Sequence, residues 1–114
     1  MKWFAKKTVA LGRTFDSRGE AVRAGMLSLL ERGGKISCLT FQPVFKLTRA
    51  QIKYKADFSY KENGKMIIED FKGNRRHDRR FSMIKQLWRY YGPHPLKISN
   101  AKGVYETINP DTDG

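Results

Sequence analysis

The sequence predicts an α/β domain in which helices flank a small central mixed sheet. Three observations predict it: two segments with helical signals, a strand pair joined by an Asn-Gly turn, and a short strand-like run near the C-terminal end. Their order along the chain is helix, strands with a hairpin, helix, strand. The 114 residues, of which 39% are hydrophobic, are expected to form a single domain spanning 1–114.

The segment 15–34 carries the clearest helix signals. Ser17 is the expected N-cap, and Glu20 three residues later can complete a capping box. Gly33 and Gly34 are expected to end the helix. Four apolar residues at helical spacing are expected to form its buried stripe: Val22, Met26, Leu29 and Leu30.

A strand-like segment follows, in which Pro43 marks a bend, an edge or a bulge. Cys38 lies among apolar neighbours and is expected to be a buried thiol. Farther on, Asn63 and Gly64 separate two apolar-rich runs, which is the strongest short signal for a β-hairpin. The run before this turn has strand periodicity, since four apolar residues alternate with polar ones: Tyr54, Ala56, Phe58 and Tyr60.

The segment 74–93 predicts the second helix. Asp78 is the expected N-cap, and Gly92 with Pro93 ends the helix. Its expected apolar stripe consists of Phe81, Ile84, Leu87, Trp88 and Tyr91. A short strand with the sequence LKIS follows, and the polar tail from about 106 to 114 is expected to be flexible.

The charge balance indicates an anionic partner. The chain has 23 Lys and Arg against 11 Asp and Glu, a formal charge of +12, for which nucleic acid is the first candidate. The alternative is a basic surface kept for solubility or a ribosomal-type scaffold role. A single cysteine excludes an intrachain disulfide and a thiolate metal site, and it fits a reducing, cytoplasmic setting. No apolar run is long enough for a membrane span or a signal peptide.

The hairpin predicts a pair of facing carboxylates. Counting outward from a two-residue turn places Asp57 opposite Asp70 and Lys55 opposite Lys72, all on one face. Unit charges about 5 Å apart repel by about 3 kcal/mol at an effective dielectric constant near 20. A retained proton, nearby lysines or a divalent cation such as Mg²⁺ or Mn²⁺ would relieve this repulsion. The alternative is a pair of solvent-exposed contacts with the two lysines, and a one-residue slip of register would separate the aspartates.

Asp57, followed thirteen positions later by Asp70-Phe71-Lys72, resembles the motif of the PD-(D/E)xK nuclease superfamily, with Glu20 on the upstream helix. The resemblance covers about residues 12–98. In its order and compactness, this segment resembles the small phage-encoded endonucleases and Holliday-junction resolvases of that superfamily. Ala56 stands where the motif has proline. Glu69 is a second acid beside the motif, but the pleat of a strand places Asp70, and not Glu69, on the face of Lys72.

The resemblance implies a restriction-endonuclease-like core and a metal-dependent active site. Asp57 and Asp70 would bind Mg²⁺, with Mn²⁺ as a substitute, and the Phe71 carbonyl and Glu20 would be further ligands. Lys72 would orient the attacking water or stabilise charge on the phosphate. Such a metal neutralises the phosphate and lowers the pKa of water. The capping box alone also explains Glu20.

Basic residues follow the proposed catalytic lysine and predict contacts to DNA phosphates. The expected DNA-binding residues are Lys55, Arg75, Arg76, Arg79, Arg80 and Lys85. The alternative is an ordinary solvated helix face. We expect a structure-selective DNA endonuclease, foremost a Holliday-junction resolvase acting as a homodimer. The alternatives are a restriction-like or transposase-type nuclease subunit and a non-catalytic nucleic-acid-binding module.

Overall fold

The computed structural model describes residues 8–10, 12–49, 52–72 and 78–111. The described part forms two helices and nine strands. In chain order they are β1 (Thr8–Ala10), β2 (Arg13–Phe15), α1 (Arg18–Arg32), β3 (Ser37–Phe41), β4 (Val44–Lys46), β5 (Lys53–Lys55), β6 (Phe58–Glu62), β7 (Lys65–Phe71), α2 (Arg79–Tyr91), β8 (Leu96–Asn100) and β9 (Gly103–Ile108).

Five strands form the central sheet in the order β3-β6-β7-β8-β9. Strands β7 and β8 are parallel, and the other neighbours are antiparallel, so the sheet is mixed. Strands β1 and β2 form a separate small antiparallel pair, as do β4 and β5. The predicted α/β class with a small mixed sheet is therefore confirmed.

The hairpin between β6 and β7 has the register that the Asn-Gly turn predicts. Asn63 and Gly64 have φ angles of 53° and 78°, the left-handed values that a two-residue type I′ turn requires. Phe58 pairs with Glu69, and the pairing closes at the turn. This register carries Asp57, just before β6, toward Asp70 near the end of β7.

Two apolar cores cover the two faces of the sheet. The core on the α2 side includes Ile68, Ile84 and Trp88. The core on the α1 side includes Phe58 and Phe71. Because successive residues of β7 point to opposite faces, each core takes alternate side chains from this strand.

The predicted apolar stripe of α1 was wrong. Val22, Met26, Leu29 and Leu30 are all exposed, with fractions between 37% and 65%. The buried residues of α1 are instead Glu20, Ala21, Ala24 and Leu27. The small alanines let the helix approach the sheet closely, so the adjacent row with the larger side chains faces outward.

Helix α2 agrees with the sequence except at its last residue. The Asp78 side chain accepts a hydrogen bond from the Phe81 amide at 2.8 Å, which confirms the N-cap. Tyr91, predicted to be in the core, is 53% exposed. The reason is that the chain turns back after Gly92 and covers Trp88 itself, whose indole donates to the His94 carbonyl at 2.7 Å.

Two further expectations were wrong. Cys38 is exposed, because β3 has an irregular register there and Cys38 has a φ angle of 56°. The expected flexible tail cannot begin at 106, because β9 continues to Ile108, which is 2% exposed and belongs to the α2-side core. Neither helix in the described ranges has the length and apolarity needed to cross a bilayer.

Candidate active site

A cleft of about 320 Å³ lies beside the end of β7. Every residue predicted to be catalytic or to bind metal lines this one cleft: Glu20, Asp57, Asp70, Phe71 and Lys72. They come from α1, from the residue just before β6, and from the end of β7 and the residue after it. The hairpin and the packing of α1 bring them together. The cleft is therefore the candidate active site.

The two predicted aspartates are held by specific hydrogen bonds. Asp57 Oδ2 accepts from the Phe71 amide at 2.8 Å. Asp70 is 4% exposed, and its Oδ2 accepts from the Tyr54 hydroxyl at 2.5 Å. Asp57 and Asp70 therefore lie close together in the cleft, and Asp70 is buried and not solvent-exposed as the alternative required.

The hairpin pairing itself ends at Phe58 and Glu69. The predicted position of Lys55 opposite Lys72 was wrong, because Lys55 pairs with Val44 of β4.

The Asp57 carboxyl lies close to two other acidic side chains, Asp70 and Glu20. Burial raises the pKa of the Asp57 carboxyl far above its usual range, and a hydrogen bond with Asp70 and the charges of Asp70 and Glu20 raise this pKa further. The Phe71 amide opposes these effects without cancelling them. Without a cation, the site therefore retains a proton to relieve its own repulsion.

Glu20 belongs to the capped first turn of α1 and also lines the cleft, which are the two placements that the sequence left open. Ser17 Oγ accepts from the Glu20 amide at 3.0 Å, so Ser17 caps the helix. The Glu20 side chain is buried at 4% exposure, lines the cleft and acts electrostatically on Asp57. Capping and a place in the cleft therefore occur together.

The oxygen donors fit a hard divalent cation. Mg²⁺ in proteins is commonly bound through one or two carboxylates, with water and substrate phosphate completing its shell. Asp57 and Asp70 supply such a pair. Within the described ranges, no three His, Cys, Asp or Glu side chains form a closed metal-binding group. A pair of carboxylates that leaves the remaining positions to water and phosphate is therefore the arrangement that these residues fit.

Lys72 projects toward the same carboxylates. Its Nζ lies 3.4 Å from Asp70 Oδ2 and 4.1 Å from the centre of the Phe81 ring. Its backbone amide donates to the Ser99 carbonyl at 2.9 Å, which anchors the residue to β8. The ammonium group is thus placed beside the acidic pair, partly exposed to the cleft.

The predicted DNA-binding residues fall into three groups. Lys55 and Arg80 line the cleft, and Arg79 is exposed at the start of α2. Lys85 is not among the lining residues, because its Nζ lies 3.2 Å from Glu106 on β9. Arg75 and Arg76 lie outside the described residues.

Glu69, the second acid of the motif region, is on the opposite face from Asp70, as the strand pleat predicted. It is completely buried and accepts hydrogen bonds from Arg23, Tyr60 and Ser99. Burial by itself would raise the pKa of Glu69, but these donors outweigh it and lower the pKa below its ordinary value. Glu69 is therefore a buried, fully bonded carboxylate that does not line the cleft.

The cleft also contains polar residues that the sequence did not place there, among them Tyr54 and Asp16. Tyr54 was read as an apolar strand position, but its hydroxyl bonds Asp70, and burial followed by the Asp70 charge raises the pKa of Tyr54. Asp16, just before the cap of α1, also lines the cleft. The alternation predicts Tyr54 on one face with Phe58 and Tyr60, which was wrong. The chain breaks between β5 and β6, so Tyr54 lies in the α2-side core while Phe58 and Tyr60 lie in the α1-side core. This break brings the Tyr54 hydroxyl to Asp70, sixteen residues away.

The family of the chain is shown by comparison with family models. The model described as "Protein of unknown function (DUF1064)" matches residues 1–99. The chain therefore belongs to the DUF1064 family. No curated protein and no solved structure matches it.

Proposed function

We propose that this protein is a Mg²⁺-dependent DNA endonuclease with a PD-(D/E)xK active site. The observation that carries the proposal is the convergence of Asp57, Asp70 and Lys72 in one cleft, at the spacing of that motif. The element order supports it, since α1, β3, β6, β7, α2 and β8 follow the arrangement expected of a restriction-endonuclease-like core, with β7 and β8 parallel.

Asp57 and Asp70 would hold the metal, with Glu20 and the Phe71 carbonyl contributing from the cleft wall. When bound, the ion would neutralise phosphate charge and lower the pKa of water, which phosphodiester hydrolysis requires. Tyr54 keeps Asp70 oriented through the bond to Oδ2. The Phe71 amide does the same for Asp57. These bonds fix two ligands before a metal arrives.

Lys72 supplies the positive charge of the site. Its ammonium group beside Asp70 can donate to the attacking water or to a non-bridging phosphate oxygen. The contact with the Phe81 ring restricts the flexible stem, so the charge is held near the carboxylates. Lys72 would therefore bind and orient the reacting groups.

DNA is the substrate that the charge distribution favours. The chain carries a formal charge of +12, and Lys55 and Arg80 stand on the wall of the acidic cleft. Phosphates bound by these residues would lie against the metal site. A Holliday junction in the cytoplasm is the substrate we favour.

Cutting a four-way junction symmetrically requires two active sites, and we propose a homodimer for this reason. The exposed row on α1 is the candidate surface. This row is centred on Met26, with Val22 one turn before it and Leu29 and Leu30 one turn after it. An antiparallel pair of α1 helices would therefore match apolar residues with apolar residues. Measuring the molar mass of the wild-type protein and of a Leu29→Asp variant by light scattering tests this interface.

The proposed activity is tested by incubating the protein with a four-way junction, a flap, a linear duplex and a single strand, with Mg²⁺ and with chelator. We expect Mg²⁺-dependent cleavage, fastest on branched DNA. Asp70→Asn and Lys72→Ala should abolish cleavage and leave DNA binding largely intact. Glu62→Gln and Lys65→Ala make the same charge changes at the far end of the hairpin and should leave cleavage unchanged.

The alternatives give different results in the same assay. A site-directed restriction-like or transposase-type subunit would cut only when a partner protein selects the site. A non-catalytic module would bind DNA through its basic surface and cut none of the substrates with Mg²⁺ or Mn²⁺. The latter result would refute the proposed activity.

A further inference from the structure

A buried polar network ties helix α1 to three strands of the sheet. Glu69 on β7 lies at its centre. Arg23 of α1 bonds both carboxylate oxygens, from Nε at 2.6 Å and from Nη2 at 2.9 Å. Tyr60 of β6 donates to Oε1 at 2.6 Å, and Ser99 of β8 donates to Oε2 at 2.7 Å. The four bonds satisfy a carboxylate that has no contact with water.

We infer that Glu69 and Arg23 are positioning residues, which set the rotation and height of α1 so that Glu20 faces Asp57. The inference rests on the proposed function, because it assigns Glu20 a part in holding the metal. Glu20 and Arg23 lie three residues apart and therefore on neighbouring positions of one helix face. A shift of Arg23 would move Glu20 with it, since the helix is a rigid element.

The apolar contact between α1 and the sheet is made by small side chains. The helix buries only Ala21, Ala24 and Leu27 among its apolar residues, and the larger ones are exposed. Gly19 packs closely on the Phe71 ring at the first turn, but two alanines and one leucine present few side-chain atoms to interlock with the rest of the sheet. The two-point contact between a planar guanidinium and a carboxylate has a fixed geometry, so it supplies the directional constraint that this surface lacks.

The energetics of buried ion pairs also favour a positioning role for this network. Such pairs contribute little net stability, so stability alone does not explain the network. Removing an ion pair from water is costly, and apolar residues of similar volume often stabilise a protein equally well or better. An apolar replacement at these sites would therefore preserve the fold. What it would lose is the fixed orientation of α1, and an outer-shell partner of this kind typically changes metal affinity by about 10- to 100-fold.

The test compares an apolar variant with a matched control. The apolar variant carries Arg23→Met, Tyr60→Phe, Glu69→Met and Ser99→Ala. The control replaces a more exposed ion pair of the same sheet, in which neither residue bonds to Glu69 or Arg23, with Glu62→Met and Lys97→Met. Mn²⁺ affinity is measured by titration calorimetry, the free energy of unfolding by denaturant, and the position of Glu20 by crystallography.

We expect the apolar variant to unfold near the wild-type denaturant concentration, to bind Mn²⁺ about 10- to 100-fold more weakly, and to displace the Glu20 carboxylate from Asp57 by more than about 0.5 Å. The control should bind Mn²⁺ as the wild type does. A folded apolar variant with wild-type Mn²⁺ affinity and Glu20 in place would overturn the inference.

Two further results remain decisive. If the apolar variant does not fold, Arg23→Lys replaces it, because lysine keeps the charge beside Glu69 and loses the two-point contact. Its Mn²⁺ affinity should fall, and an unchanged affinity would overturn the inference. If the wild-type protein binds no Mn²⁺ and cuts no DNA, the proposed function fails, and the displacement of Glu20 alone decides the positioning role.

Discussion

Replacing Asp57 with asparagine should stabilise the metal-free protein at alkaline pH. The folded-state pKa of Asp57 is raised by burial and by the neighbouring carboxylates, whereas an unfolded aspartate has a pKa of about 3.9. The contribution of this carboxyl to the free energy of unfolding is therefore full below about pH 4. It is lost as the pH rises toward the folded-state pKa. Asparagine has no charge to lose, and its side-chain oxygen can still accept from the Phe71 amide.

The magnitude follows from linkage and from Coulomb's law. One proton retained only by the folded state gives a slope of about 1.4 kcal/mol per pH unit, so three pH units give at most about 4 kcal/mol. Direct repulsion of two carboxylates about 5 Å apart at an effective dielectric near 20 gives about 3 kcal/mol. Because a real site relaxes, we expect a smaller effect. The free energy of unfolding of Asp57→Asn, relative to that of the wild type, should be about 2–3 kcal/mol higher at pH 8 than at pH 5.

Urea unfolding of both proteins at pH 5 and pH 8 in the presence of chelator measures this difference. Glu62→Gln is the control, since it removes one carboxylate from the other end of the same hairpin. Adding Mg²⁺ at pH 8 should stabilise the wild type and leave Asp57→Asn almost unchanged. Two results together would refute the claim that repulsion between these carboxylates destabilises the protein at high pH. They are an equal destabilisation of Asp57→Asn at both pH values and a wild-type stability that does not change with pH.

Three further predictions concern the surroundings of the site. Tyr54→Phe removes the bond to Asp70 and should lower Mg²⁺ affinity or the cleavage rate about 10- to 100-fold, measured by Mg²⁺ titration of activity. Gly19→Ala places a Cβ about 2.8 Å from the Phe71 ring and should destabilise the protein by about 1–3 kcal/mol in urea unfolding. Arg80→Ala should lower the slope of log affinity against log salt for DNA by about 1.

Each of these has its own control and contradicting result. Tyr90→Phe removes an exposed hydroxyl and should leave activity unchanged, so an equal loss in both variants would count against the role of Tyr54. Gly25→Ala lies on the same helix in open space and should stabilise by about 1 kcal/mol. If both glycine variants behave alike, α1 does not pack tightly on Phe71. An unchanged salt slope in Arg80→Ala would show that Arg80 contacts no phosphate.

The hairpin and the acidic pair were predictable because their signals are local. Asn63 and Gly64 accept the left-handed conformation of the turn, and the period of two then fixes the pairs from Glu62 and Lys65 back to Phe58 and Glu69. The turn and the alternation agree on one register, and this register places Asp57, one residue before β6, near Asp70. The same pleat separated Asp70 from Glu69 correctly.

The rotation of α1 was not predictable in this way. Two adjacent rows of the helix carry apolar residues, and the row with the larger side chains was chosen on hydrophobicity alone. The structure buries the row of Ala21, Ala24 and Leu27, because the helix lies close to Phe71 and is tied to the sheet by Arg23. The partner of Arg23 is 46 residues away, and such long-range polar bonds leave no local pattern in a sequence.

The most direct test of the metal site is a crystal of the wild-type protein soaked in Mn²⁺, with the ion located by its anomalous scattering. We expect a peak about 2 Å from carboxylate oxygens of both Asp57 and Asp70, and we expect this peak to be absent from Asp70→Asn crystals. A well-occupied Mn²⁺ site elsewhere, or no peak between the two aspartates, would contradict the proposed metal site.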